Sequence, residues 1–174
     1  KIPTLWEFHK VHHSATSLNP FTQYRLHPIE LIINNFTAII AFAMVTGLFD
    51  YLSNGVVEMY KVLGVNAFLF LFKFTGANLR HSHVKLKYPS FLENILISPY
   101  QHQIHHSDNP SFFNKNMGAI FAIWDKLFGT LSKSKEINHI SFGLTPEENK
   151  QLNVFYKSIS KPFLSFFKRL FRIK

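Results

Sequence analysis

Two short stretches of the chain repeat one pattern, H-x-x-H-H. It is formed by His9, His12 and His13, and again by His102, His105 and His106. On a helix, positions i, i+3 and i+4 share a face, so each triplet can aim three imidazoles at one point. A neutral imidazole offers one nitrogen lone pair and suits iron, zinc or copper. A lone histidine is more often a core residue than a ligand, but two identical triplets are not explained that way. A third element is His81-Ser82-His83. Residues two apart share a face in an extended stretch and not in a helix. One of this pair is therefore expected to bind metal, with His81 favoured and His83 a secondary candidate. His27, just before Pro28, is expected to cap a helix or support a ligand, and is likewise only a secondary ligand candidate. His139 stands alone in a polar region and reads as structural or surface.

Six or more histidine donors exceed the three or four that one zinc ion needs, which points to two metals. Iron is favoured if the chemistry is oxidative, because zinc has no redox role. The residues themselves leave iron, zinc and manganese open. The chain has no cysteine, which excludes disulfides, zinc fingers, iron–sulfur clusters and a thiol nucleophile.

The elements that must position these residues are mostly apolar. The 174 residues suffice for one domain with a real core. With 47% hydrophobic residues, 17% charged and 20 phenylalanines, the chain is not a disordered one. Nineteen basic residues against ten acidic ones give a net charge of +9, which suits nucleic acid or an anionic membrane surface. Lysine predominates and no recognition motif is present, so nucleic acid is not expected as a partner.

Residues 31–52, LIINNFTAIIAFAMVTGLFDYL, are uncharged until Asp50. They match the roughly 20 residues that cross a bilayer core. A second, weaker run at 56–79 has the apolar heart VLGVNAFLFLF, with Glu58, Lys61 and Lys73 around it and Lys73 placed to snorkel. Asn54-Gly55 makes the turn between them. The two runs read as a membrane hairpin that enters and leaves on one side. Residues 1–30 and 80–174, with all ten histidines, would then face one compartment. Thr145-Pro146-Glu147-Glu148 reads as a helix start, Gly129-Thr130 as a helix stop, and Trp124 and Phe128 as core residues. At the C-terminus, Phe163, Phe166, Phe167, Leu170 and Phe171 recur at helical spacing opposite Lys168, Arg169 and Arg172, with Pro162 in the first turn. The expected organisation is an all-α chain: a membrane hairpin with a His-rich helical cap over residues 1–153, then a basic amphipathic interfacial helix over 154–174.

At these residues the sequence resembles the fatty acid hydroxylase / sterol desaturase superfamily of membrane di-iron proteins. FHKVHHS at 8–14 resembles its second histidine box, and RLHPIE at 25–30 its Arg-x-His-Pro element. NLRHSHV at 78–84 resembles the segment with the isolated histidine. LENILISPYQHQIHHS at 92–107 resembles the third box, and IWDKLFGT at 123–130 the closing segment. The resemblance runs from residue 6 to about 144. Two departures stand out. Asn114 and Met117 occupy positions where the family usually has Asp and Tyr, and the first histidine box, expected upstream of His9, is absent. The chain also opens at Lys1 without an initiator Met. It is therefore expected to be an N-terminally truncated part of a longer protein, inactive alone, with an open groove beside residues 31–52 and one exposed histidine flank.

The resemblance implies two irons held by His9, His12, His13, His81, His102, His105 and His106. O₂ and two electrons would serve to hydroxylate or desaturate a lipid, sterol or related apolar substrate drawn from the bilayer. Glu7, Glu30, Glu93 and Asp125 are candidate carboxylates to orient imidazoles. No nucleotide-binding glycine loop is present, so a separate donor (cytochrome b5, ferredoxin or a reductase) is expected to supply the electrons. The expected location is the bacterial inner membrane, or the endoplasmic reticulum membrane in a eukaryote, with the histidines cytosolic. The rival readings are a dinuclear zinc membrane hydrolase and a non-enzymatic metal-binding membrane protein.

Overall fold

The structure is a computed structural model and describes residues 2–55, 61–62, 65–74 and 77–171. Seven α-helices lie within them: α1 (Pro3–His13), α2 (Pro28–Ser53), α3 (Ala67–Phe74), α4 (Pro99–His105), α5 (Ile123–Leu127), α6 (Pro146–Leu152) and α7 (Phe155–Leu170). The fold is all-α. Among the described residues the one ladder is a two-residue antiparallel pairing of Lys61–Val62 (β1) with Val65–Asn66 (β2).

Each histidine-bearing helix begins on a proline, whose fixed φ suits the first turn and whose missing N–H costs nothing there. In α4, Ser98 caps the start: its hydroxyl accepts the Gln101 N–H, and the Gln101 side chain returns a bond to the Ser98 N–H. In α1, Pro3 opens the helix and the Ser14 hydroxyl closes it on the Val11 carbonyl. Around α4 sits the small core of Ile97, Tyr100, Ile104 and Ala122, all fully buried.

Helix α2 has 26 residues, about 39 Å at 1.5 Å per residue. Its first turn holds the buried Glu30, and no residue after it is buried. This apolar helix, whose hydrophobic span no described residue buries, is long enough to cross a bilayer. It ends where Asn54 and Gly55 take positive φ values of 51° and 75°, the turn expected from the sequence. The second run of the expected hairpin, 56–79, falls partly outside the described residues. Its described helical part, α3, has eight residues, about 12 Å. Residues 56–60, 63–64 and 75–76 and the Lys73 side chain lie outside the described residues, as does Arg172.

Helix α7 starts at Phe155, so Pro162 lies inside the helix rather than in its first turn. The sequence pattern missed this because the apolar spacing before Pro162 is weaker than after it. One face of α7 packs on α1, where Phe8 meets Phe163 at 5.5 Å and Phe166 at 5.2 Å between ring centroids. Arg169 reaches back to Glu7, which also pairs with Lys10 at 2.7 Å. Trp124 and Phe128, expected in the core, are exposed instead, together with Leu127. Helix α5 is too short to have two covered faces, and its buried face is taken by Asp125.

Candidate metal centre

Helix α1, the turn at Ala77–His81 and helix α4 bring seven histidines together in two groups. His12, His81, His102 and His106 form one, and His9, His13 and His105 the other. Within each group the candidate ligand atoms lie within 4.8 Å of one another. The groups abut, since the His13 and His106 rings stack at 4.3 Å.

The triplets do not each feed one point, as their spacing first suggests. Each gives its i and i+4 imidazoles to one group and its i+3 imidazole to the other. On a helix the i+3 and i+4 positions lie on either side of position i, so two facing helices exchange one ligand each. His81 then joins His12, His102 and His106 and makes that group four-membered.

The outer nitrogens are oriented by partners that fix their protons. His12 Nδ1 lies 3.3 Å from the Arg25 carbonyl, and His105 Nδ1 lies 2.9 Å from the Lys115 carbonyl. A carbonyl only accepts, so Nδ1 donates and the Nε2 lone pair is free. His81 Nδ1 lies 3.1 Å from the Thr22 hydroxyl, which gives its own proton to the Asn19 carbonyl at 2.7 Å and so accepts here. His9 Nδ1 meets Glu30 Oε1 at 2.5 Å. The inner nitrogens face one another: Nε2 atoms are 3.1 Å apart in His9 and His13, 3.1 Å in His81 and His102, and 3.2 Å in His102 and His106.

Those separations are a test of fit. Metal–nitrogen bonds of about 2.0–2.1 Å place neighbouring nitrogens roughly 2.9–3.4 Å apart, from octahedral to tetrahedral geometry. Charge agrees. Burial first, then the nearby His81 and His9, push His12 down to about 3, and burial with the Arg80 charge pushes His81 down to about 4. Burial, with neighbouring imidazoles next, holds His102 and His106 well below the ordinary range. At neutral pH these four rings are uncharged, the form that binds metal.

His27 and His83 are not in either group. His27 Nδ1 accepts the Ile29 N–H and caps α2, while Nε2 donates to the Ile159 carbonyl at 3.0 Å in α7. Both nitrogens are thereby used. His83 and His139 are exposed. Of the four carboxylates, Glu30 meets an imidazole. Glu93 accepts from Ser98 and Ser134, and Asp125 accepts from the Met117 and Gly118 N–H groups and the Thr130 hydroxyl. Sequence reasoning missed Thr22 and Gln103. The Gln103 amide lies 2.9–3.3 Å from the carbonyls of Leu79, Ser82 and Val84 and ties the His81 segment to α4. Its signal was its place between two ligands of one helix.

A cavity of about 880 Å³ opens beside the three-histidine group and Glu30. Ile2, Leu5, Trp6, Ile33, Phe113 and Met117 give it apolar walls. The four-histidine group does not line it.

The fatty acid hydroxylase family model matches residues 1–130. The chain is similar to an alkylglycerol monooxygenase of Danio rerio, 31% identical over 81% of this chain and 27% of the relative. It is similar to the ornithine lipid hydroxylase OlsE of Rhizobium tropici, 28% identical over 92% of this chain and 43% of the relative. A Caenorhabditis elegans alkylglycerol monooxygenase matches at 38% over 30% of this chain and 10% of its own length. The chain thus spans less than half the length of these curated relatives. No solved structure matches it. With three-quarters of its length inside the family model and its histidines gathered as described, the chain belongs to the fatty acid hydroxylase family.

Proposed function

We propose that this chain carries the metal centre of a membrane-bound, O₂-dependent lipid hydroxylase with two irons. The observation that carries the reading is the placement of two abutting histidine groups, one of them lining an apolar cavity, at the foot of a helix long enough to cross a bilayer. The relatives, a monooxygenase and a lipid hydroxylase by name, agree with it.

His12, His81, His102 and His106 would hold one iron, and His9, His13 and His105 belong to the site of the other. Bound iron would supply O₂ activation, in the overall conversion of R–H, O₂, two electrons and two protons into R–OH and water. The chain's own residues do the rest. Thr22, Glu30 and the carbonyls of Arg25 and Lys115 keep Nε2 unprotonated and aimed inward. Leu5, Trp6, Ile33 and Phe113 would hold an acyl or alkyl chain against the three-histidine group and exclude water from it. The lipid would reach the cavity from the bilayer, and the electrons would come from cytochrome b5, ferredoxin or a reductase. A cytosolic cap on a bacterial inner membrane, or on the endoplasmic reticulum in a eukaryote, is part of the same proposal, because cytosolic donors must reach it.

Metal analysis with O₂ consumption tests this reading. The intact protein, purified in detergent and supplied with electrons and lipid, is expected to contain two irons and consume O₂ as hydroxylated lipid appears. Two zincs with no O₂ uptake would favour the hydrolase, and reversible metal binding without turnover would favour a storage or sensing protein.

A further inference from the structure

Glu30 occupies an unusual position. It lies in the first turn of the apolar helix α2 and is nine-tenths buried. Oε1 meets His9 Nδ1 at 2.5 Å. Oε2 is also buried, and no hydrogen-bond donor among the described residues meets it. Glu30 also lines the cavity beside the three-histidine group. The partners of the other group are different in kind. His12 and His81 rest on a carbonyl and a hydroxyl, and no carboxylate meets a ring nitrogen of that group among the described residues. Each group takes an i, i+4 pair from one helix and an i+3 histidine from the other, and His81 adds a fourth imidazole to the His12 group alone.

We propose that Glu30 is a positioning residue that sets the three-histidine position apart in charge, beyond the difference in histidine number, by holding His9 against it through a carboxylate. A carboxylate behind an imidazole fixes its tautomer and raises the basicity of its metal-facing nitrogen. The metal at His9, His13 and His105 therefore sees more negative charge than the metal at the four-histidine position, and its higher oxidation state is favoured. The carboxylate also fixes α2 in register with the site. Its neighbour His27 caps the same helix and bonds to α7, so the membrane helix is tied to the metal centre at its first turn.

This inference rests on the proposed reading only in taking both groups as metal sites, and its test does not depend on lipid turnover. The intact protein, stripped of metal and titrated with ferrous iron, is compared with Glu30→Gln and Glu30→Asp, and the oxidised forms are examined by Mössbauer spectroscopy. The wild type should show two iron signals of equal area and different parameters. Glu30→Gln keeps the shape and removes the charge, so it should weaken one binding step by about 10-fold or more and move one signal, leaving the other unchanged. Glu30→Asp keeps the charge at a longer reach and should fall between. Both variants losing both irons together, or both retaining two wild-type signals, would overturn the proposal. A wild type that binds two inequivalent irons but hydroxylates no lipid would sink the functional reading and leave this one standing.

Discussion

His12 and His105 are the middle residues of their triplets, and each joins the group made by the other helix. That exchange makes the centre sensitive to single residues. His105→Ala should remove a donor from the three-histidine position and leave the other metal bound, so iron content should fall from two to one. His27→Ala should cost about 1 kcal/mol through the lost helix cap and should not change iron content. Metal analysis beside thermal unfolding separates the two. The pH dependence follows from burial. Unfolded histidine takes up protons near pH 6.5, whereas folded His81 and His12 hold out to about 4 and about 3. Above about pH 6.5 both states are neutral at these residues and stability is flat. As pH falls below that, the unfolded chain binds protons that the folded one refuses, so the metal-free protein should lose stability steadily toward pH 4. A melting temperature that rises on acidification over that range would contradict this. That the two triplets gather with one histidine of the His81-Ser82-His83 pair was legible in the sequence pattern. Their division into groups was not, because it depends on how two helices face each other. Glu30, Thr22 and the backbone carbonyls carry no spacing signal of their own.

At the scale of elements, α2 was legible from composition, since 22 residues with one charge leave little else for it to be. The second run is less clear-cut in sequence, because Glu58, Lys61 and Lys73 interrupt it, and it falls partly outside the described residues. Two elements make testable claims about the membrane. The chain has no native cysteine, so labelling is clean. Ser14 and Ser107 are buried and would report poorly, but Ser17 and Ser111 are exposed. Cysteines at Ser17 and Ser111 should be labelled from one side of the membrane and a cysteine at Ser53 from the other. Labelling of Ser17 and Ser53 from the same side would rule out a spanning α2. Helix α7 exposes Tyr156, Leu164, Phe167, Leu170 and Phe171. Their helical positions adjoin those of Lys157, Lys161 and Lys168. This arrangement suits an anionic lipid surface. Exchanging Lys157, Lys161 and Lys168 for glutamine should weaken association of the isolated 154–174 peptide with vesicles containing phosphatidylserine. Equal binding to neutral and anionic vesicles would contradict the assignment.

For the whole molecule, the histidine cap is held less by a large core than by buried polar hubs. Asp125 gathers Met117, Gly118 and Thr130, Glu93 gathers Ser98 and Ser134, and Asn116 joins the Gln101 carbonyl to the Ser132 N–H. Such networks appear only when distant loops close, which is why composition did not disclose them. Asp125→Ala strands two backbone donors and should destabilise the cap by on the order of 3 kcal/mol, read as a lower unfolding midpoint. The function proposed for this centre is oxygen insertion into a lipid, and the source of the product oxygen tests it most directly. Cells carrying the full-length gene, grown under isotopically labelled O₂, should yield a lipid with one labelled hydroxyl oxygen, absent when His105 or His106 is alanine. A product oxygen drawn from water, or a lipid profile unchanged by the gene, would contradict the account.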